Sequence, residues 1–313
     1  MYDTLILKLD KSSVPDTDFL EETSSYIDIS NSGMYGSGIK WISGYLKGLR
    51  IHITDSSIKI TGSIAKYYLG TNLETLNRDD VKKAIKDLSN RLHLPIDKAL
   101  VTRIDVSENF IMKHSVNDYL THLGQLSRFS RLEVTKGSLY YKQKEQELCF
   151  YDKVAEAKAR RVEIPEIFKN KNVLRYEYRL IKRLSKRLNV REVNVSLLYD
   201  EGFYSKLIQL WAAKFLAINK INDMVINIEA MKTIKDLNSL GVIALIEKAG
   251  GEILFVEEIK KQQRQGTLTK KQAADLRKVV KRATKVKDNP LMVCSEDTKE
   301  LDNKIKCTRR FKN

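Results

Sequence analysis

The sequence predicts an α+β fold in which helices pack on one face of an antiparallel sheet, the other face stays open, and a mainly helical C-terminal region follows. Three observations predict this class. Segments in which apolar and polar residues alternate recur between residues 3 and 180, as half-buried strands do. Two of them, within residues 49–63, are joined by a short polar turn suited to a hairpin. From about residue 196 onward, the apolar residues follow helical spacing.

Composition restricts the class of protein and the kind of partner. Lys and Arg outnumber Asp and Glu by 56 to 40 among 313 residues, and the formal charge of +16 favours a nucleic-acid partner. No apolar run approaches the ~20 residues of a membrane span, and the N-terminus lacks the basic start of a signal peptide. Three cysteines fit neither a disulfide framework nor a metal-ligand spacing. We therefore expect a cytoplasmic protein with no membrane partner.

The first elements in chain order follow from their periodicity. Residues 3–10 carry leucine at every second position, which predicts a half-buried strand, and residues 49–63 form the hairpin. Residues 78–92 space apolar side chains at helical intervals ahead of a proline, which predicts an amphipathic helix laid on the sheet. A second helix is predicted over residues 115–126.

Three further strands share one design, with an apolar side for the helices and an ionisable side for chemistry. If they belong to one sheet, their ionisable side chains meet on one surface; three unconnected solvated faces are the alternative. The side chains concerned are Arg103 and Asp105 in residues 101–107, Tyr151 and Lys153 in the hairpin of residues 138–153, and Arg175, Glu177 and Arg179 in residues 172–180.

Helical spacing dominates the C-terminal part, over residues 203–221 and 237–249. Thr269 begins a capping box that opens a helix through Val286. Between residues 260 and 287 eleven Lys or Arg accompany one acidic residue, so this helix is a candidate DNA contact, and an ordinary solvated helix is the alternative. Its candidate DNA-binding residues are Lys270, Lys271, Arg277, Lys278, Lys281 and Arg282.

These patterns divide the chain into three parts. Residues 1–190 form the sheet domain, residues 191–287 form a helical basic region, and residues 288–313 are expected to be a loosely ordered basic tail because they lack periodicity. No internal repeat is visible.

The polar strand residues suggest phosphodiester chemistry. Asp105 and Glu177 offer hard oxygen ligands to Mg²⁺ or Mn²⁺. A tyrosine hydroxyl with a pKa of about 10 is a weak nucleophile at neutral pH, but a nearby cation and a metal favour its phenolate. Tyr151 is therefore the candidate nucleophile and Lys153 its assistant, while the neighbouring arginines, Arg103, Arg175 and Arg179, are candidate DNA contacts.

The same residues lie in segments that resemble the rolling-circle replication initiators of the filamentous-phage gene II and X type, with related plasmid initiators. The resemblance covers roughly the first 190 residues and rests on the joint order of five segments. They are MYDTLILKL, SIKITGSIAKYYLGTN, VTRIDVS, LCFYDK and VLRYEYRLIKRL.

The resemblance implies that Tyr151 nicks DNA beside Lys153, and that Asp105 and Glu177 are metal-ligand candidates. Many rolling-circle nucleases carry a histidine-hydrophobe-histidine metal motif, which this sequence lacks. The metal site is therefore expected to depend on carboxylates, with His52 as an additional candidate. Lys66, in the element S-x-A-K, is a candidate phosphate contact. An ordinary strand histidine and a solvated lysine are the alternatives for these last two residues.

The leading hypothesis is an origin-specific initiator that nicks one DNA strand, forms a 5′-phosphotyrosine link and frees a 3′-OH primer for rolling-circle replication. Its expected partners are double-stranded and single-stranded origin DNA and a host helicase or polymerase, in the cytoplasm of a bacterial host cell. One alternative is a non-catalytic, sequence-specific initiator or repressor. Another is an RNA-binding protein that stacks bases on sheet aromatics such as Tyr140 and Tyr141.

Overall fold

One antiparallel sheet organises the fold. The structure, a computed structural model, describes residues 1–135, 137–221, 231–284 and 296–311. The strands of this sheet are β1 (Tyr2–Asp10), β2 (Asp28–Met34), β3 (Lys40–Leu46), β4 (Leu49–Thr54), β5 (Ser57–Ser63), β6 (Leu100–Met112), β7 (Ser130–Thr135), β8 (Ser138–Gln143), β9 (Gln146–Asp152) and β10 (Asn172–Leu180).

The described residues also form ten α-helices. They are α1 (Ile64–Leu69), α2 (Arg78–Leu92), α3 (Val116–Thr121), α4 (Lys153–Ala159), α5 (Leu184–Leu188), α6 (Glu201–Leu216), α7 (Ile234–Lys248), α8 (Glu252–Arg264), α9 (Lys270–Ala283) and α10 (Glu296–Phe311). No helix among these residues has the length and apolarity that a membrane crossing requires.

The main core lies between one face of the sheet and the helices. Leu5, Leu7 and Leu9 of β1 point into it, as their alternation predicts, and they belong to one buried cluster with Leu88 of α2 and Trp211 of α6. Asn77 opens α2 with a reciprocal capping box, so the helix has the predicted bounds. The prediction of an α+β fold with an antiparallel sheet is confirmed.

The sheet consists of two halves with the same connectivity. Its order is β2-β3-β4-β5-β1-β6-β10-β9-β8-β7. In each half the first strand pairs with the fifth, and the fourth, third and second follow outward; β1 and β6 join the halves by antiparallel pairing. No repeat was visible in the sequence, because the two halves share strand order and not residue pattern.

The structure differs from the sequence predictions at α3 and at the C-terminal segment. The helix predicted over residues 115–126 is the six-residue α3. The segment expected to be a loosely ordered tail contains α10, whose Leu301 and Ile305 are buried in the main core, and α6 belongs to the same core. The main core therefore extends beyond residue 190. Residues 285–295 and 312–313, including Val286 and Cys294, lie outside the described residues.

Helices α7, α8 and α9 form a smaller cluster of their own. Val256 and Ile259 of α8 pack with Ala273 and Val280 of α9 and with Ile246 of α7. This packing leaves most basic side chains of α9 exposed: Lys270, Lys271, Lys278, Lys281 and Arg282 are exposed, and Arg277 is half-buried.

Candidate active site

Adjacent strands bring the predicted polar residues together. In the antiparallel register, Arg175 of β10 faces Tyr151 of β9, and Arg179 of β10 faces Asp105 of β6. Because side chains alternate along a strand, these residues lie on the sheet face opposite the main core. Glu177 lies between the two arginines and is central to the cluster.

Tyr151 and two arginines all bind the carboxylate of Glu177. The Tyr151 hydroxyl donates a 2.7 Å hydrogen bond to Oε1, and Nε of Arg175 donates another of 2.7 Å to the same oxygen. Arg179 donates to Oε2 through Nε at 2.9 Å and Nη2 at 2.6 Å. Glu177 thus holds the Tyr151 hydroxyl in one place, and the arginines neutralise its charge.

Arg175 is completely buried and all of its donors are satisfied. A guanidinium has five N–H groups, and none of them is left for another partner. Arg175 therefore cannot make the DNA contact that the sequence led us to expect. Its buried side chain instead stabilises the site through these hydrogen bonds. The acceptors are Glu177 Oε1 (2.7 Å), Asn72 O (2.8 Å), Asn109 Oδ1 (3.1 Å), Asp3 Oδ2 (2.5 Å) and Ser107 Oγ (2.7 Å).

Asp3 is a member of the site that the alternation pattern does not predict. Strict alternation from Leu5, Leu7 and Leu9 places it on the core face. The pairing of β1 with β6 shifts register between Tyr2 and Leu5, however, and such an irregularity rotates a side chain toward the other face. Asp3 therefore reaches both Arg175 and the Ser63 hydroxyl, each at 2.5 Å.

Asp105 forms a separate pair with Arg103. Nε and Nη2 of Arg103 donate to its two oxygens at 2.8 and 2.7 Å, a bidentate arrangement. Nε of Arg179 lies 3.8 Å from Oδ2, which connects this pair to the Glu177 cluster. Burial raises the pKa of Asp105 to about 6, and Arg103 offsets only part of that increase.

The family follows from a comparison with known proteins. Residues 1–198 match a family model that describes the N-terminal part of the phage replication-associated protein of gene II type. The chain belongs to this family. A search of the curated proteins finds no match. Membership in the gene II family supports a role in initiating replication of filamentous-phage type, and the matched region contains every member of the cluster around Glu177.

In this gene II-family chain, Lys153 is beside Tyr151 although it is not a strand residue. It is the first residue of α4, which Asp152 caps through a bond to the Ala155 amide. Its buried Nζ donates to Asn72 Oδ1 at 2.9 Å and to Glu156 Oε2 at 2.7 Å, and lies 5.9 Å from the centre of the Tyr151 ring. Strand alternation accounts for the position of Tyr151 in β9, whereas the position of Lys153 depends on α4.

Burial and charge set opposite pKa shifts in Tyr151 and Glu177. Burial raises the pKa of the Tyr151 hydroxyl well above its ordinary value, more than Arg175 lowers it. Burial also acts to raise the pKa of Glu177, but Arg175 and Arg179 outweigh it and lower that pKa to about 2. At neutral pH Tyr151 is therefore a protonated donor and Glu177 an ionised acceptor.

The carboxylates of this site, as arranged, do not fit a divalent metal. Both oxygens of Glu177 and both oxygens of Asp105 already accept hydrogen bonds from arginines. Within the described ranges, no group of three or more His, Cys, Asp or Glu side chains is placed to hold a metal ion. A hard cation would need these oxygens as ligands, so Arg103 would first have to leave Asp105.

The structure does not place His52 with the two carboxylates. It lies on β4, separated from β6 by β5 and β1, and its ring nitrogens bond the Ser43 hydroxyl at 2.7 Å and the Tyr35 hydroxyl at 2.9 Å. These bonds occupy both ring nitrogens, so neither of them is left to bind a metal. Lys66 lies on α1, one turn after its N-cap, Ser63, and is half-buried.

A cleft of about 400 Å³ lies beside Tyr151, and Tyr140, Glu156, Arg160 and Arg179 are among the residues that line it. Because Tyr151 itself lines this cleft, the cleft is where a phosphodiester could approach it. Arg179 has 24% of its side chain exposed, so it is the guanidinium on Glu177 that can also contact a phosphate.

Proposed function

We propose that this gene II-family chain is an initiator that nicks one strand of origin DNA, with Tyr151 as the nucleophile. The observation that supports the proposal is the 2.7 Å hydrogen bond from the Tyr151 hydroxyl to Glu177, at the wall of a cleft lined by arginines. A nucleophile needs a group that holds its reacting oxygen in place and cations near the phosphate, and this arrangement supplies both.

In the proposed step, the phenolic oxygen of Tyr151 forms a bond to phosphorus while the bond from phosphorus to the 3′ oxygen breaks. The phenolic proton passes to water in the cleft, which returns a proton to the leaving 3′ oxygen, while the ionised Glu177 keeps the attacking oxygen in place. Arg179 and Lys153 offset the negative charge that develops on the phosphate. The products are a 5′-phosphotyrosine link and a free 3′-OH, and the link retains the energy of the broken ester.

A nicking assay on supercoiled DNA of the replicon that encodes the chain tests this proposal. We expect open circles with protein on the 5′ end from the natural chain and none from Tyr151→Phe. Tyr140→Phe is the matched control, since Tyr140 lines the same cleft without bonding Glu177. Nicking by Tyr151→Phe at the full rate would contradict the assignment, and binding without nicking by the natural chain would favour a non-catalytic initiator.

The requirement for Mg²⁺ or Mn²⁺ that the resemblance implies stays a prediction. The same assay tests it with a chelator and add-back of each ion. Loss of nicking with the chelator and its recovery with an ion would mean that Arg103 releases Asp105 to act as a ligand. Nicking that survives chelation would mean that the arginines stabilise the charge on the phosphate.

We propose that α9 holds duplex origin DNA, because its exposed basic residues face away from the α7–α9 cluster. Contacts between lysines and phosphates give affinity without reading the base sequence, so α9 would contribute affinity for DNA and not sequence specificity. A host helicase or polymerase partner remains a prediction.

A further inference from the structure

The half of the sheet formed by β1 to β5 carries a second surface, on the same side as Tyr151, which nicking does not use. We define the aromatic face as Tyr35, Trp41, Tyr45 and His52. Ile51 and Ile53, on either side of His52 in β4, are buried in the main core, so His52 points away from it. The pairing of β3 with β4 places Trp41 and Tyr45 on the same face as His52.

Contacts within the aromatic face hold its rings in place. The His52 ring centre lies 5.6 Å from that of Trp41 and 6.3 Å from that of Tyr35, and its two nitrogens bond Tyr35 and Ser43. A Cβ atom at Gly33 would lie 2.9 Å from Cζ2 of Trp41, so the indole rests directly on the β2 backbone. The rings of Tyr35, Trp41 and His52 are thus fixed before any ligand arrives, which lowers the entropy cost of binding.

Apolar exposure and positive charge occur together on this face. Tyr35 and Tyr45 are each 46% exposed, so this face presents aromatic surface to solvent. Arg50 pairs with Tyr45 across the strands, and Lys59 pairs with His52. Both cations are exposed, and neither forms an ion pair with any residue that the structure describes.

This combination fits a single nucleic-acid strand better than a duplex. Unpaired bases present flat faces that stack on aromatic side chains, while their phosphates contact nearby cations. In a duplex the base faces are covered by neighbouring base pairs, so exposed tyrosines and a tryptophan on a flat sheet would find no partner.

The position of the aromatic face also suits a strand that enters the active site. Five steps in the sheet separate β4 from β9, about 24 Å at the usual strand spacing. That distance corresponds to about seven nucleotides at a stacked spacing of about 3.4 Å. Thr61, Ile6 and Arg103 lie along the row between Arg50 and the site, and two hydrogen bonds hold the Arg103 guanidinium on Asp105.

We propose that the aromatic face binds single-stranded DNA flanking the nick, with bases stacked on Trp41 and Tyr45 and phosphates bound by Arg50 and Lys59. The proposal rests on the proposed function only in taking DNA as the substrate. In this proposal His52 is a positioning residue: it bonds Tyr35 and contacts Trp41, and it does not itself bind the DNA.

Intrinsic fluorescence gives a direct test, because the chain has two tryptophans and Trp211 is completely buried. We expect an oligo-dT strand to quench the emission of Trp41 in a saturable way, whereas a duplex of equal length does not. Tyr151→Phe should show the same quenching, so loss of nicking and loss of strand binding are separable outcomes.

Variants of Trp41 complete the test, with affinity measured by the anisotropy of labelled oligo-dT. Trp41→Ala should weaken binding about 5- to 100-fold, the range for loss of one base–aromatic stack, whereas Trp41→Phe, which keeps a ring, should stay within a few fold of the natural chain. Unchanged Trp211 emission in Trp41→Ala shows that the core is intact. Absent quenching, unchanged affinity in Trp41→Ala, or tighter binding of a duplex or of oligo-U would each overturn the proposal.

Discussion

Replacing Arg175 with methionine tests whether the buried ion network stabilises the fold as well as the site. Methionine keeps a long side chain but removes five hydrogen-bond donors, which leaves Asp3 and Glu177 buried with less compensation. Glu177 keeps Arg179 and Tyr151, whereas Asp3 keeps one hydrogen bond within the part of the chain that the structure describes, that from the Ser63 hydroxyl. The loss therefore falls mainly on Asp3.

The expected cost is large relative to the stability of a domain. Removing one partner of a buried ion pair costs about 3–5 kcal/mol, against about 5–15 kcal/mol for unfolding a whole domain. With a urea m-value of about 2 kcal/mol/M, the midpoint of unfolding falls by about 2 M. Urea unfolding followed by Trp211 emission measures it, since Trp211 stacks on Tyr176 inside the main core.

Two further variants make the Arg175 result interpretable. Arg179→Met is the matched control: its side chain is 24% exposed, so water solvates the carboxylates that it leaves and the loss is smaller. Adding Asp3→Asn to Arg175→Met should recover part of the stability, because the uncompensated carboxylate is gone. Equal losses for the two arginines, or a loss below about 1 kcal/mol for Arg175→Met, would refute the reasoning.

Two other predictions concern pH and salt. The folded-state pKa of Glu177, about 2, lies below its ordinary 4.5, so its contribution to stability is complete above pH 4.5 and is lost as pH falls toward 2. Unfolding midpoints from pH 2 to 7 should show this decline in the natural chain and not in Glu177→Gln; parallel curves would contradict it. Changing Lys278, Lys281 and Arg282 to glutamine should lower the salt dependence of duplex binding by about 0.9 in log–log slope for each phosphate that α9 no longer binds. The matched control changes Lys82, Lys83 and Lys86 of α2 to glutamine. An equal decrease in the slope of this control would count against a contact between α9 and DNA.

The sequence predicted the central strands well because a period of two is strict. Once residues 172–180 are a strand, Arg175, Glu177 and Arg179 must share a face, and the register of β9 and β10 then brings Tyr151 to that face. The partners of each carboxylate were not predictable in the same way. Whether an arginine neutralises Glu177 or contacts DNA depends on burial, which neighbouring loops and helices decide.

Two elements escape sequence-based prediction for local reasons. Asp3 reaches the site through a register shift, which no alternation pattern reveals. Helix α10 lies in a segment so rich in charge that its short apolar stripe, with Leu301 and Ile305 four residues apart, does not stand out as periodic. Histidine is a common metal ligand, which makes His52 a candidate from the sequence, whereas its position in β4 places it among aromatic rings.

The packing of α10 has a consequence for the synthesis of the chain. Met1 and Ile305 are buried in the same core, and Tyr119 of α3 bonds Glu300 of α10. A nascent chain therefore cannot complete this core until the residues through Ile305 have emerged from the ribosome. Until then the apolar surface that α10 covers is open to chaperones and proteases.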